Sequence, residues 1–289
     1  MRTSVIIPCY NTGQFIADAI RSAWGQSQVP HEVIVVDDGS SDESAEVAEA
    51  LGARVFRQDN AGVSQARNVG LAESEGDFIL FLDADDRLLP TAIETHLACF
   101  GQCPEAAMVY GSNYIIGPQG DNIGTNAQAP CVYSWREVMF GVVPTSSQAM
   151  FRREAVVLAG GFDSRVHFGE DFDLYLRLCA EGIGVCHGEF VTDYRKHPGQ
   201  ATRRPAASLE SMLGVVDRFA ERHSVDGPTL ALARRHWRIY YGQWILNEAI
   251  KSVVRKDLTR AKDSTLTYLR HCPDTLIGTV RQAFKFLRR

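Results

Sequence analysis

The feature that most limits the fold is an alternation confined to the first hundred residues. Short β-rich runs, SVIIP at 4–8, EVIVV at 32–36, ARVFR at 53–57 and FILFL at 78–82, are separated by stretches with helical spacing. Gly13–Gln26 places apolar residues at 15, 16, 19, 20, 23 and 24, the pattern of an amphipathic helix. Ser44–Leu51, Val63–Ser74 and Pro90–Phe100 read as the next helices, the first of them capped by Ser41. Strands that alternate with helices in this way pair in parallel, because each crossover returns the chain to the same edge. The expectation is therefore a three-layer α/β/α fold with a mostly parallel central sheet. The near-continuous apolar runs suit strands covered on both faces.

Beyond residue 100 the pattern loosens into short strands and loops. A strand is expected at Gln148–Phe151, helices at Arg153–Leu158 and Gly169–Ala180, and two short strands at Val185–His187 and Phe190–Arg195. From Pro205 the chain reads as helices at about 206–223, 228–256, 258–270 and 274–288. Trp237, Tyr240, Tyr241, Trp244 and Ile245 fall at helical spacings, as packing residues do. The charge divides in the same place. Residues 1–200 hold 13 Lys and Arg against 27 Asp and Glu, whereas residues 201–289 hold 17 against 8. Solvated helix faces and contact with an anionic surface such as a membrane both fit that basic tail. Nothing in it points to nucleic-acid reading.

In open parallel sheets ligands gather at the carboxyl ends of the strands. Three of the four strand ends here carry polar clusters: Cys9-Tyr10-Asn11, Asp37-Asp38 and Asp83-Ala84-Asp85-Asp86. Three carboxylates within four positions, straight after an apolar run, repel one another and call for a cation. Oxygen donors spaced Asp-x-Asp suit Mg²⁺ or Mn²⁺, which complete their shells with phosphate and water. A capped turn is the plainer alternative. The acidic pair Asp37-Asp38 also occurs in phosphoacceptor receiver domains, but these need a lysine at a later strand end, and no lysine precedes Lys196. The same absence excludes a Walker-type phosphate loop. Seven cysteines without a CxxC pair, and no run near the length of a membrane span, point to a reducing, cytoplasmic setting.

Taken together, VIIPCYN, VIVVDDGSSD, NAGVSQARNVG, FLDADD and GGFD with GEDFDLYLRL resemble the family 2 glycosyltransferases of GT-A fold across residues 3–200. The resemblance implies a GT-A domain over 1–204 followed by an α-helical region over 205–289. It implies transfer of a sugar from a nucleotide diphosphate, UDP favoured, to a glycan, lipid-linked or protein hydroxyl, usually with inversion. By position Pro8, Tyr10, Asn11, Asp38, Arg67, Asp83 and Ala84 would line the donor site. Asp85, Asp83 and His197 would hold the metal, Asp171 would act as base and Glu170 would position the acceptor. Lys196, Arg203 and Arg204 would add positive charge beside the leaving group. A nucleotidyltransferase would begin with a glycine-rich basic loop, which IPCYNTGQF is not. A sugar-nucleotide-binding protein on the same fold is the other alternative. The implied setting is cytoplasmic, with peripheral placement at the inner membrane face through the basic C-terminal region as a further expectation.

Overall fold

The computed structural model describes residues 1–199, 205–254 and 256–272. The chain divides into two compact units, Met1–Gly199 and Gln200–Arg289. The first unit begins with β1 (Thr3–Cys9), α1 (Gly13–Trp24), β2 (Glu32–Asp37), α2 (Ser44–Ala50), β3 (Arg54–Arg57), α3 (Val63–Glu73) and β4 (Phe78–Phe81). It continues through β5 (Arg87–Leu88), α4 (Ala92–Gln102), β6 (Ala106–Ile116), β7 (Asn122–Asn126), β8 (Cys131–Tyr133) and α5 (Trp135–Met139). A 3₁₀ turn at Ser146–Gln148 then leads into β9 (Ala149–Arg152), α6 (Arg153–Leu158), α7 (Glu170–Glu181) and β10 (Ile183–Arg195). The second unit comprises α8 (Pro205–Arg222), α9 (Gly227–Val254) and α10 (Leu258–His271). The helix expected over 274–288 lies outside the described residues.

One sheet runs in the order β3-β2-β1-β4-β9-β6-β10-β5, with β7 added to β6 and β8 to β10. The first four strands pair in parallel, as their alternation with helices requires. β9 then enters antiparallel between β4 and β6, and β6 pairs in parallel with β10. The sheet is thus parallel in its first half and mixed in its second. The two short strands expected near residues 185 and 195 are one strand, β10, whose register on β6 shifts between Cys186 and Phe190. His187 and Gly188 interrupt the apolar pattern there, so an irregularity inside a strand resembles a break between two.

Period-two alternation sorts β1 and β2 onto two faces. Val5, Ile7, Val33 and Val35 join Ile16 and Ile20 of α1 and Ile93 and Leu97 of α4 in one core. On the opposite face α3 lies so close that a Cβ at Gly70 would sit 2.3 Å from Ile6 Cγ2. This close approach sets the height of α3 above the strands, and α3 carries Arg67 one turn earlier. In the second unit, Leu209, Met212, Val215 and Val216 of α8 are buried, as are Trp237 and Ile245 of α9, while Tyr240 is exposed. The aromatic series on α9 is therefore only partly packing.

Gly70→Ala is expected to destabilise the first unit by about 1–3 kcal/mol, the usual cost of overpacking. Urea denaturation followed by circular dichroism measures it, and an unchanged midpoint would show that α3 has room to lift.

Candidate active site

The carboxyl ends of β1 and β2 are stitched together by short polar side chains. Asn11 takes up a left-handed backbone conformation, φ 52°, which asparagine tolerates better than most residues. Its Oδ1 accepts from the Ser41 amide at 2.8 Å, and its own amide donates to Ser40 Oγ at 2.9 Å. Ser41 is thus spent on Asn11 rather than on capping α2, whose cap position, Glu43, makes no side-chain capping bond. Asp38 is buried and holds the loop that enters α3. Its Oδ1 accepts from Gln58 Nε2 at 2.6 Å and from the Ala61 amide at 2.8 Å, and its Oδ2 accepts from the Gly62 amide at 2.8 Å. Pro8 is buried inside β1, whereas Tyr10, two residues on, is half exposed.

Arg67 is buried and joins two distant parts of the chain. Its Nη2 donates to Asp83 Oδ1 at 2.7 Å and its Nη1 to Glu170 Oε1 at 2.8 Å. The guanidinium carbon lies 5.1 Å from the Phe162 ring centroid. Phe162 is fixed in turn by two 2.8 Å bonds between its backbone and the Asn68 amide. Burial works against the charge on Arg67, but Asp83 and Glu170 outweigh it and hold the group firmly protonated.

The acidic run after β4 divides into distinct roles. Asp86 is buried, accepting from Ser147 Oγ at 2.7 Å and from the Arg195 amide at 2.9 Å. Burial, then Asp85 and Asp83, push its carboxyl well up. Asp83 faces Arg67, and its amide donates to the same Ser147 Oγ at 3.0 Å. Ala84 packs into the core. Asp85 Oδ2 lies 2.9 Å from His197 Nε2. Burial and the neighbouring Asp83 raise the Asp85 carboxyl, and His197 partly offsets them. Because His197 Nδ1 accepts from the Gly199 amide at 3.2 Å, a neutral His197 carries its proton on Nε2 and donates to Asp85.

Asp171 stands beside Glu170 in the first turn of α7. Its Oδ1 accepts from the Phe172 amide at 2.7 Å. Burial, followed by repulsion from Glu170, pushes its carboxyl up to about 7, although Arg67 pulls the other way. A carboxylate tuned to that range both takes and releases a proton near neutrality.

The arrangement brings Arg67, Asp83, Glu170 and Asp171 to one end of the sheet, and Asp85 with His197 alongside. Ser147 and Arg195 were not among the expected site residues. Ser147 arrives on the 3₁₀ turn before β9, which lies beside β4 only because β9 pairs there. Arg195 belongs to the basic stretch YRKH, yet it turns inward. Its Nε donates to the Asp85 carbonyl at 2.7 Å, its Nη1 to the Pro118 carbonyl at 2.9 Å, and its Nη2 to Asp18 at 3.1 Å. Lys196 lies within the described residues, and Arg203 and Arg204 lie outside them.

Among the described residues, no three His, Cys, Asp or Glu side chains stand in a ready-made metal cluster. The donor chemistry nevertheless fits a hard divalent cation. Asp85 offers oxygen, His197 can offer nitrogen only with Nε2 deprotonated, and Arg67 engages one oxygen of Asp83. Such ions take few protein ligands when phosphates complete their shell.

A model of glycosyl transferase family 2 matches residues 4–156. The chondroitin synthase of Pasteurella multocida (strain Pm70) is 31% identical over 188 residues, covering 62% of this chain and 19% of that protein. The chondroitin synthase of Escherichia coli is 32% identical over 184 residues, covering 62% of this chain and 26% of that one. The chain therefore spans no more than about a quarter of the length of these relatives. The structure of S. aureus TarS 1–349 in complex with UDP-GlcNAc matches with a TM-score of 0.63 at 18% identity, covering 93% of this chain and 92% of that one. That likeness concerns the fold.

Arg67→Met is expected to lower stability by roughly 3 kcal/mol, the scale for stranding the partners of a buried charge. Glu170→Gln, which keeps an acceptor for Nη1, is expected to cost less. Equal denaturation midpoints for both variants would show that Arg67 does not hold this end of the sheet together.

Proposed function

Because the chain belongs to glycosyl transferase family 2, we propose that it moves a sugar from a nucleotide diphosphate, a UDP-sugar first among them, to an acceptor hydroxyl with inversion. The observation that carries this reading is the Arg67 bridge, which ties Glu170, next in sequence to Asp171, to Asp83 in the acidic turn after β4. The UDP-GlcNAc bound by TarS and the glycan polymer, chondroitin, for which both synthases are named favour a UDP-sugar donor and a glycan acceptor.

In the proposed reaction the acceptor oxygen forms its bond to the sugar C1 as the bond from C1 to the diphosphate oxygen breaks on the opposite face. Asp171 takes the acceptor proton. The Phe172 amide already binds Oδ1, so Oδ2 is the oxygen assigned to that transfer. Glu170, held by Arg67, orients the acceptor. Tyr10, exposed beside the β1 end, offers a face for the base, and Asp38 keeps the 58–62 loop in place. Mg²⁺ or Mn²⁺, held by Asp85 with His197 and the second oxygen of Asp83, would neutralise charge on the departing diphosphate. Lys196 adds a cation next to His197.

Asp171→Asn is expected to retain donor binding and lose at least about 10²-fold in transfer, the scale of general-base catalysis. In the wild type, kcat/KM is expected to rise with pH through an apparent pKa near 7, as Asp171 ionises. A raised carboxyl also costs stability. The folded state holds a proton that the unfolded chain has released, so stability declines from about pH 4 to 7. Above pH 7 the Asp171→Asn variant is therefore expected to melt higher than the wild type. Wild-type turnover in that variant would remove Asp171 from the base role.

Asp85→Ala is expected to abolish the gain in donor affinity that Mn²⁺ brings, measured by calorimetry with a panel of nucleotide sugars. The same gain in the variant would refute the assignment. Sugar-nucleotide binding without either transfer or hydrolysis would favour a binding protein.

A further inference from the structure

The end of α9 and one face of α10 present large apolar side chains to solvent. Val254 is 77% exposed and Leu258 70%, and Val253, Leu266 and Leu269 are each more than half exposed. Single exposed apolar residues are ordinary, but several large ones so close in sequence point to a contact surface. The turn is tightly hydrogen-bonded. Lys256 sits in the left-handed region at φ 60° and donates its amide to the Val253 carbonyl at 3.0 Å. The Asp257 amide donates to the Ser252 carbonyl at 2.9 Å. These bonds close the chain between α9 and α10, with Val253 and Val254 before them and Leu258 after them. Along α10, at ~100° per residue, Leu258, Leu266 and Leu269 fall within one arc of about 80°.

This stretch of sequence is basic. Residues 251–270 carry six Lys and Arg against two Asp. Lys251 is paired with Glu248 at 3.1 Å, while Lys256 and Lys262 are exposed on either side of Leu258. No helix among the described residues is long and apolar enough to cross a membrane. Exposed apolar side chains flanked by Lys256 and Lys262 match the boundary of an anionic bilayer, where apolar groups enter the acyl edge and cations meet lipid phosphates.

We propose that the α9–α10 turn, with the outer face of α10, docks on an anionic phospholipid bilayer. A second copy of this chain would bring like charges together at the same face. Residues 273–289 are also basic, with Arg281, Lys285, Arg288 and Arg289 against Asp274, and offer no counter-charge. The proposal stands apart from the transfer chemistry.

The test is flotation of the full chain with vesicles of phosphatidylglycerol and phosphatidylcholine, and with vesicles of phosphatidylcholine alone, at low and high salt. The wild type is expected to bind the anionic vesicles, to leave them at high salt and to ignore the neutral ones. The Val254→Asp/Leu258→Asp double variant is expected to bind at least about tenfold less. Donor hydrolysis is expected to stay at the wild-type rate, which separates loss of docking from loss of the site. If that variant melts early, Lys256→Glu/Lys262→Glu supplies the comparison, with the same expected loss on anionic vesicles. No anionic binding, equal binding to neutral vesicles, or undiminished binding by a folded variant would overturn the proposal. So would light scattering that finds a wild-type dimer dissociated by Leu258→Asp, which would assign this face to a second copy.

Discussion

One buried guanidinium organises the polar end of this sheet. Arg67 comes from α3, its partners come from the end of β4 and the start of α7, and all three elements meet through two short ion-paired hydrogen bonds. Removing a guanidinium from water is expensive, and the Nε of Arg67 finds no hydrogen-bond partner among the described residues. Two carboxylates and the Phe162 face offset that cost together, where a single carboxylate would leave more of the fork unsatisfied. A lysine has one compact charge and cannot span Asp83 and Glu170 with the same rigid geometry.

The neighbouring carboxylates show how position separates residues of identical type. Asp86 is fully enclosed and bound to Ser147 and Arg195, which makes it a structural anchor for the turn. Asp85 keeps a histidine at its oxygen and stays close to solvent. Asp83 answers to Arg67. Asp171, on another element, is lifted towards neutrality by burial and by Glu170. Without their separate partners these groups would simply repel one another.

The parallel half of the sheet was legible because its signals are local. Apolar strands, amphipathic helices and strand-end polar clusters each occupy a short stretch of chain, and their alternation dictates the pairing. The place of β9 was not legible, because an AMFR strand carries no mark saying that it inserts between β4 and β6. Ser147 was missed for that reason, since its contact with Asp83 exists only through the insertion. Arg195 was misleading in a different way. It stands in a basic run with Lys196, yet the carbonyls of Asp85 and Pro118 draw it inside. The pairing of Asn68 with Phe162 joins ARN to GGFD, two motifs visible in sequence whose mutual contact is not.

The late arrival of β9 bears on how the chain is made. During synthesis β1 to β4 emerge in order and can assemble as a parallel group, but the FILF strand then has one flank with nothing beside it. Its neighbour is encoded much further on, so the ribosome must deliver β5 to β8 before that flank is covered. An uncovered apolar strand is a template for unwanted pairing with other chains. For this molecule the hazardous interval in biogenesis lies between the completion of β4 and the release of β9, well before the helices of the second unit are translated.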